Sequence, residues 1–360
     1  MNWLVSSSGY LYSSDVSSES YVVPYNYDET PSGPNRGLES EGVSSFQLCG
    51  LFCGGTVSCW GSSAEGVSPD EAKTDKYMST LIRNLNLNIS LKMKKCISKL
   101  SEDYSEVDFE RIRTSALELN QKLSFILTGT DRICELAAYL RVKGVGVDQV
   151  VLLIGTMKSP ARPGCELPHI LRFMSLLAQN STVVLPAGVW ILSADAEGVV
   201  SVHYPEWVYK SSSYCRGSLK SKMNYILLNY TPSDGRIHLC RRPEPKYHIQ
   251  KLRCEPIKVI IVDDRFIDYD QLSCYSGVCL IVRGTGVGNI GVYNLPILRE
   301  LCENNRVIVT TACPDGPVRT DVYRSTRILS SHCSLEFNTR NYTDSFLYYA
   351  LKYTTFENEI

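Results

Sequence analysis

The chain has 360 residues, 44% of them hydrophobic and 21% charged, with a formal net charge of -1 and a pI near 6.5. That is ordinary globular composition, long enough for two domains. It carries no strong field that would favour nucleic acid or an anionic membrane.

The start, Met1-Asn2-Trp3-Leu4-Val5, lacks the basic residues and long apolar core of a signal peptide. No apolar stretch approaches the ~20 residues of a membrane span. A soluble, cytoplasmic protein is expected. Fourteen cysteines in such a chain read as reduced thiols rather than a disulfide framework. Cys134, Cys279 and Cys302 sit inside apolar patterns and read as small core residues. There is no Cys-x-x-Cys pair. His238 and Cys240 alternate on one strand face, where packing is favoured over a zinc site. Neither metal nor cofactor is expected.

Residues 1–44 are rich in Ser, Tyr, Gly and Pro without a period and read as a flexible extension. From residue 46 strands and helices alternate. Phe46 to Leu51 is an apolar run ending near Gly54-Gly55. The cluster Lys92, Lys94, Lys95 reads as a solvated helix face. A helix is predicted over Asp108 to Leu119, a strand over Leu123 to Leu127 and a helix over Ile133 to Val142. Then come a strand over Val150 to Ile154, a helix over Pro168 to Leu177, and strands over Val183 to Leu185 and Val189 to Leu192. Arg241-Arg242-Pro243-Glu244-Pro245-Lys246 reads as a linker. Beyond it, Val259 to Val262, Val278 to Val282 and Val307 to Thr310 are strands, with a helix over Tyr293 to Cys302. The expected fold is α/β: a larger N-terminal doubly wound domain with a mostly parallel sheet (45–240), a linker (241–255), and a smaller C-terminal α/β domain (256–360).

Three apolar runs stop at glycine with a hydroxyl or amide close behind: Cys53-Gly54-Gly55-Thr56, Thr128-Gly129-Thr130-Asp131 and Gly284-Thr285-Gly286-Val287-Gly288-Asn289. Such runs read as buried parallel strands ending in tight turns. Their carboxyl ends are where open α/β sheets bind ligands. The hydroxyls of Thr56 and Thr130 and the carboxylate of Asp131 are expected to converge there on one small substrate. A dinucleotide reading of Gly284-x-Gly286 is weak, because Asn289 replaces the third glycine of that fingerprint.

The order of these turns resembles the bacterial-type asparaginases, over residues 46 to 353. The run from Gly286 through Cys313-Pro314-Asp315-Gly316 is similar to the cytosolic type. The resemblance implies hydrolysis of L-asparagine, or a related amide such as glutamine, through a threonine nucleophile. Thr56 falls on the attacking threonine, and Thr130 and Asp131 on the second threonine and its aspartate. Lys210, by the spacing of Lys210 to Ser221, falls on the lysine base. Ser101 would hold the substrate carboxylate and Glu102 its ammonium, although Ser101 also reads as a helix cap. Asn289 matches an asparagine that reaches a neighbouring subunit's site, which implies a homodimer or homotetramer. The chain also departs from that family. Cys53 stands for a threonine, Arg132 places a long cation beside Asp131, and Val67 occupies the place of an activating tyrosine. A catalytically impaired protein of the same fold, acting in ligand sensing or assembly, is the alternative.

Overall fold

The computed structural model describes residues 46–60, 68–160, 162–179, 185–240, 252–253, 255–266, 269–323, 327 and 335–355. The N-terminal extension, Val67 and the linker core 241–251 lie outside the described residues, as does most of the strand expected at Val183 to Leu185.

The first half runs β1 (Phe46–Gly54), β2 (Cys59–Trp60), β3 (Ser68–Pro69), α1 (Glu71–Asn84), β4 (Ile89–Lys99) and α2 (Glu106–Glu118). It continues with β5 (Leu123–Leu127), α3 (Ile133–Val142), β6 (Val150–Ile154), α4 (Leu167–Gln179) and β7 (Gly188–Ala194). Strands β4, β1, β5, β6 and β7 lie side by side in that order, all parallel. The interiors of β1, β5, β6 and β7 are apolar on both faces, as a helix-covered parallel sheet requires; Leu51, Phe52, Ile126, Leu127, Leu152 and Leu153 are all fully buried. The sheet then turns antiparallel through β8 (Val200–His203), β11 (Ile226–Thr231) and β12 (Arg236–Leu239). Two short strands, β9 (Val208–Lys210) and β10 (Leu219–Ser221), form a separate antiparallel pair.

Two sequence expectations are corrected here. Lys92, Lys94 and Lys95 lie on β4, an edge strand, and not on a helix. Ile89, Leu91 and Met93 alternate with polar residues at period two, which is the strand signature. Lysines on an exposed edge also discourage pairing with other chains. The helix cap expected at Ser101 belongs to Ser105, which forms a reciprocal capping box with Asp108 at the start of α2.

The second half builds a four-stranded parallel sheet from β13 (Val259–Asp263), β14 (Cys279–Gly284), β15 (Arg306–Thr311) and β16 (Leu335–Phe337). Helices α5 (Tyr269–Leu272) and α6 (Leu295–Asn304) accompany it. Leu295, Leu298 and Leu301 of α6 share a core with Leu280, Val282, Val307 and Val309. The last helix, α7 (Asp344–Tyr353), returns to the large sheet's layer. Its Leu347, Tyr349 and Leu351 join the same core as Phe109 and Leu136. Tyr349 packs edge-on against Tyr139 of α3, with ring centroids 5.4 Å apart. Lys352 and Tyr353 both bind the Glu106 carboxylate of α2, at 2.6 and 2.9 Å.

His203 is a buried polar anchor where β8 meets the β9–β10 pair. Its Nε2 lies 2.8 Å from Ser193 Oγ and its Nδ1 2.8 Å from Ser221 Oγ. Burial, with Lys220 nearby, pushes its pKa down to about 3. The unfolded chain, with an ordinary histidine value near 6.5, therefore binds the extra proton. The neutral ring's contribution to stability is complete above about pH 6.5 and is lost as pH falls toward 3. Urea denaturation should show wild type and His203→Gln converging in stability between about pH 7 and about pH 4. Curves that stay parallel over that range would show that the ring is not held neutral.

Candidate active site

The direction of the chain reverses around β1. One connection carries it to β4 and the next carries it back past β1 to β5, so α1 and α2 fall on opposite faces. The carboxyl ends of β1 and β5 therefore flank a switch-point crevice. β1 ends in Gly54 and Gly55, whose φ values of 91° and 80° lie where side chains are disfavoured. Thr56 follows at the head of a single 3-10 turn, half-buried. The turn is held by Ser58 Oγ and Cys59 Sγ, which donate to the Gly55 carbonyl at 2.9 and 3.1 Å. The Asp70 amide before α1 donates to the Ser58 carbonyl at 3.0 Å.

The turns after β1, β4 and β5 touch through their backbones. A Cβ on Gly55 would fall 2.0 Å from the Gly129 nitrogen, and one on Gly129 would fall 2.2 Å from Ser101 Oγ. Ser101, buried on its own short turn, accepts the Asp131 amide at 3.3 Å. Tyr104 locks the same junction. Its hydroxyl donates to the Cys53 carbonyl at 2.6 Å and accepts from Thr128 Oγ1 at 3.2 Å. Sequence reading passed over Tyr104; its only signal is its place directly after Ser101-Glu102-Asp103.

Lys210 arrives from the other side, at the end of β9. β10 pairs Leu219 with Lys210. Trp207 anchors the approach by stacking on Tyr225 at 4.4 Å and donating to the Arg340 carbonyl at 3.0 Å. Lys210 Nζ then lies 3.0 Å from Thr130 Oγ1 and 2.6 Å from Asp131 Oδ1. The lysine side chain is 18% exposed and the aspartate 48%. The structure thus brings Thr130, Asp131, Lys210 and Ser101 together, with Thr56 on the adjoining turn.

Glu102 is exposed beside that turn, where its charge and, above all, burial push the Cys59 thiol up to about 11. Asn289 is held apart, in the loop after β14, where its backbone exchanges hydrogen bonds with Thr285 at 2.7 and 2.8 Å. Arg132 turns away from the aspartate beside it. Its guanidinium donates to the Tyr104 carbonyl and lies 4.9 Å from the Phe109 ring centre. The cation therefore braces α2 rather than filling the crevice.

A cavity of about 320 Å³ opens on the far side of Lys210, between the two sheets. Asp131, Lys210 and Glu135 line it from one half, and Arg283, Cys313 and Asp344 from the other. Burial raises the pKa of Glu135 and of Asp344, and lowers that of Lys222, which also faces the cavity.

No protein-family model and no curated protein sequence matches this chain. Solved structures do. The thermostable L-asparaginase from Thermococcus kodakarensis superposes with a TM-score of 0.64 at 16% identity, over 80% of this chain and 87% of that one. A probable cytoplasmic L-asparaginase from Campylobacter jejuni superposes with a TM-score of 0.60 at 18% identity, over 85% and 93%. The protein is an α/β protein built around an eight-stranded and a four-stranded sheet, with polar groups gathered at a switch point. Its fold is that of the L-asparaginases.

The backbone junction makes a steric prediction. Gly129→Ala should destabilise the chain by at least ~2 kcal/mol, because the new methyl would meet Ser101 Oγ and Cβ at 2.2 and 2.7 Å, and that short, buried side chain has little room to move away. Ser101→Gly in the same chain removes the nearest obstacle, so the double variant should recover part of the loss. Denaturant midpoints measure both, and an unperturbed Gly129→Ala midpoint would show that the turns are further apart than described.

Proposed function

We propose that this protein hydrolyses a small amide, L-asparagine or its homologue glutamine, to the acid and ammonia. The observation that carries the reading is the contact of Lys210 Nζ with both Thr130 Oγ1 and Asp131 Oδ1. A threonine hydroxyl is a poor nucleophile at neutral pH and needs a base within hydrogen-bond reach. The fold shared with L-asparaginases supports the same reading.

In this proposal Thr56 attacks the amide carbon, and the acyl group passes to its oxygen as the amide nitrogen leaves. The Thr130–Lys210–Asp131 group moves protons. At rest Lys210 donates to both neighbours; it gives one proton to the departing nitrogen, which already carries the Thr56 hydroxyl proton and leaves as ammonium, and so becomes the neutral amine. It then accepts the Thr130 hydroxyl proton across the same 3.0 Å contact, while Asp131 holds the amine in place. Thr130 activates the water that cleaves the acyl-enzyme. Ser101 and Glu102 bind the α-carboxylate and ammonium of the substrate. The turn of Arg132 toward Phe109 favours activity, since it leaves the Asp131 carboxylate to Lys210.

The working unit is proposed to be a cytoplasmic homodimer or homotetramer, with Asn289 reaching the site of a second copy. Phe266, Val292 and Tyr293 support this. All three are more than two-thirds exposed and lie near the carboxyl end of the small sheet, where Gly291 and Asn294 bind Asp264. Sedimentation at micromolar concentration should show a dimer or larger. A persistent monomer would count against the role given to Asn289.

Ammonia release from asparagine and glutamine by purified protein is the direct test. Thr56→Ala should lower kcat by at least ~100-fold with the fold intact. Lys210→Met should do the same. Because Asp131 is half-exposed, stranding it should cost only about 1 kcal/mol of stability, recovered when Asp131→Asn is added. A folded wild-type chain that binds these amides without releasing ammonia would sink hydrolysis in favour of ligand sensing.

A further inference from the structure

We propose that Cys53 and Cys96 form an oxidisable dithiol, which a hydroperoxide converts to a disulfide joining β1 to β4 directly before the Gly54-Gly55 turn. The parallel register pairs Phe52 with Lys95, so the next residues on the two strands, Cys53 and Cys96, stand side by side and point to one face. The register breaks immediately afterwards, with Gly54 opposite Lys99. Helix α2 covers this face, and the Cys96 thiol lies 3.5 Å from its Ser115 hydroxyl. Cys53 is fully buried and Cys96 nearly so.

The two thiols differ in acidity. Burial pushes Cys53 well above the ordinary thiol range. Cys96 is brought down to about 6, chiefly by its hydrogen bond with Cys53, with Ser115, Arg111 and Lys94 assisting against burial. One thiolate beside one protonated thiol is the arrangement thiol–disulfide chemistry uses. Cys134 and Cys279 are also buried, but burial raises both and leaves them protonated.

The Cys96 thiolate attacks the outer peroxide oxygen, the O–O bond breaks, and the other oxygen takes up a proton from solvent and leaves, as an alcohol from an organic hydroperoxide or as water from hydrogen peroxide. Cys96 is then a sulfenic acid. The Cys53 sulfur attacks that sulfur, the S–S bond forms, and hydroxide departs with the Cys53 proton as water. The dithiol loses two electrons and the peroxide gains them.

The consequence for turnover rests on the proposed hydrolysis. The Cys53 carbonyl is already held by Tyr104, and the Gly54 Cβ position lies 2.2 Å from the Lys99 carbonyl oxygen. The turn has no slack, so drawing Cys53 toward β4 displaces Thr56. A displacement on the order of 1 Å at a reacting group costs about 100-fold in rate.

The test uses the full reduced chain, treated with hydrogen peroxide, alkylated, and digested without reduction. A peptide pair linked through Cys53 and Cys96, lighter by two hydrogens and released by dithiothreitol, is the expected result. In Cys53→Ser, oxidation should stop at a Cys96 sulfenic acid that dimedone captures. Recovery of both cysteines as alkylated thiols, or of oxidised Cys96 that never links, would overturn the proposal. The peptide map does not depend on ammonia release. A chain that links these cysteines yet hydrolyses no amide would sink the proposed function and leave the modification site standing.

Discussion

The contact between Gly55 and Gly129 sets the geometry of everything around it. With no Cβ on either residue, the turns after β1 and β5 close to backbone distance, and Ser101 fills the remaining gap from the turn after β4. That contact determines how far Thr56 sits from Thr130 and Asp131. Tyr104 reinforces it by bridging the Cys53 carbonyl and the Thr128 hydroxyl. Polar groups converge there because three strands end at one level, and α1 and α2 behind them are pinned by the caps at Asp70 and Ser105 and by half-buried ion pairs such as Glu106–Lys352 rather than by the site itself.

Lys210 is supplied differently. It comes from a short two-stranded unit whose position depends on stacked aromatic rings, Trp207 on Tyr225 and Tyr342. The Lys210 contacts with Thr130 and Asp131 therefore join a rigid switch point to an appended hairpin. The cavity beyond Lys210 draws its walls from both sheets. Burial makes Glu135 and Asp344 easier to protonate and Lys222 easier to deprotonate. Its polarity thus changes more readily with pH than that of a surface groove built from the same residues.

Much of the fold was legible because its parallel strands are short apolar runs bounded by turn residues. Leu123–Leu127, Ile133–Val142 and Val150–Ile154 have the bounds that apolar patterning predicts. β4 was missed because its lysines hide a period of two, and an edge strand need not be apolar on both faces. Of the antiparallel β8–β11–β12 extension only the strand carrying His238 was read; β8 and β11 were missed because His203 and Asn229 interrupt their apolar pattern. At the site, strand-end turns flagged Thr56, Thr130 and Asp131. The spacing of residues could not reveal which way Arg132 points, since that depends on the distant Phe109 ring and the Tyr104 carbonyl.

The return of α7 to the large sheet has a consequence for how the chain is made. The core that contains Phe109, Leu136 and Tyr139 is completed only by Leu347, Tyr349 and Leu351. Glu106 finds its partners 246 and 247 residues later, in Lys352 and Tyr353. During synthesis, α2 and α3 must therefore wait with an apolar flank uncovered until the last helix leaves the ribosome. Contacts this distant in sequence close slowly and favour populated intermediates. The interval between translation of Tyr139 and of Tyr349 is the period in which a nascent chain depends most on chaperones.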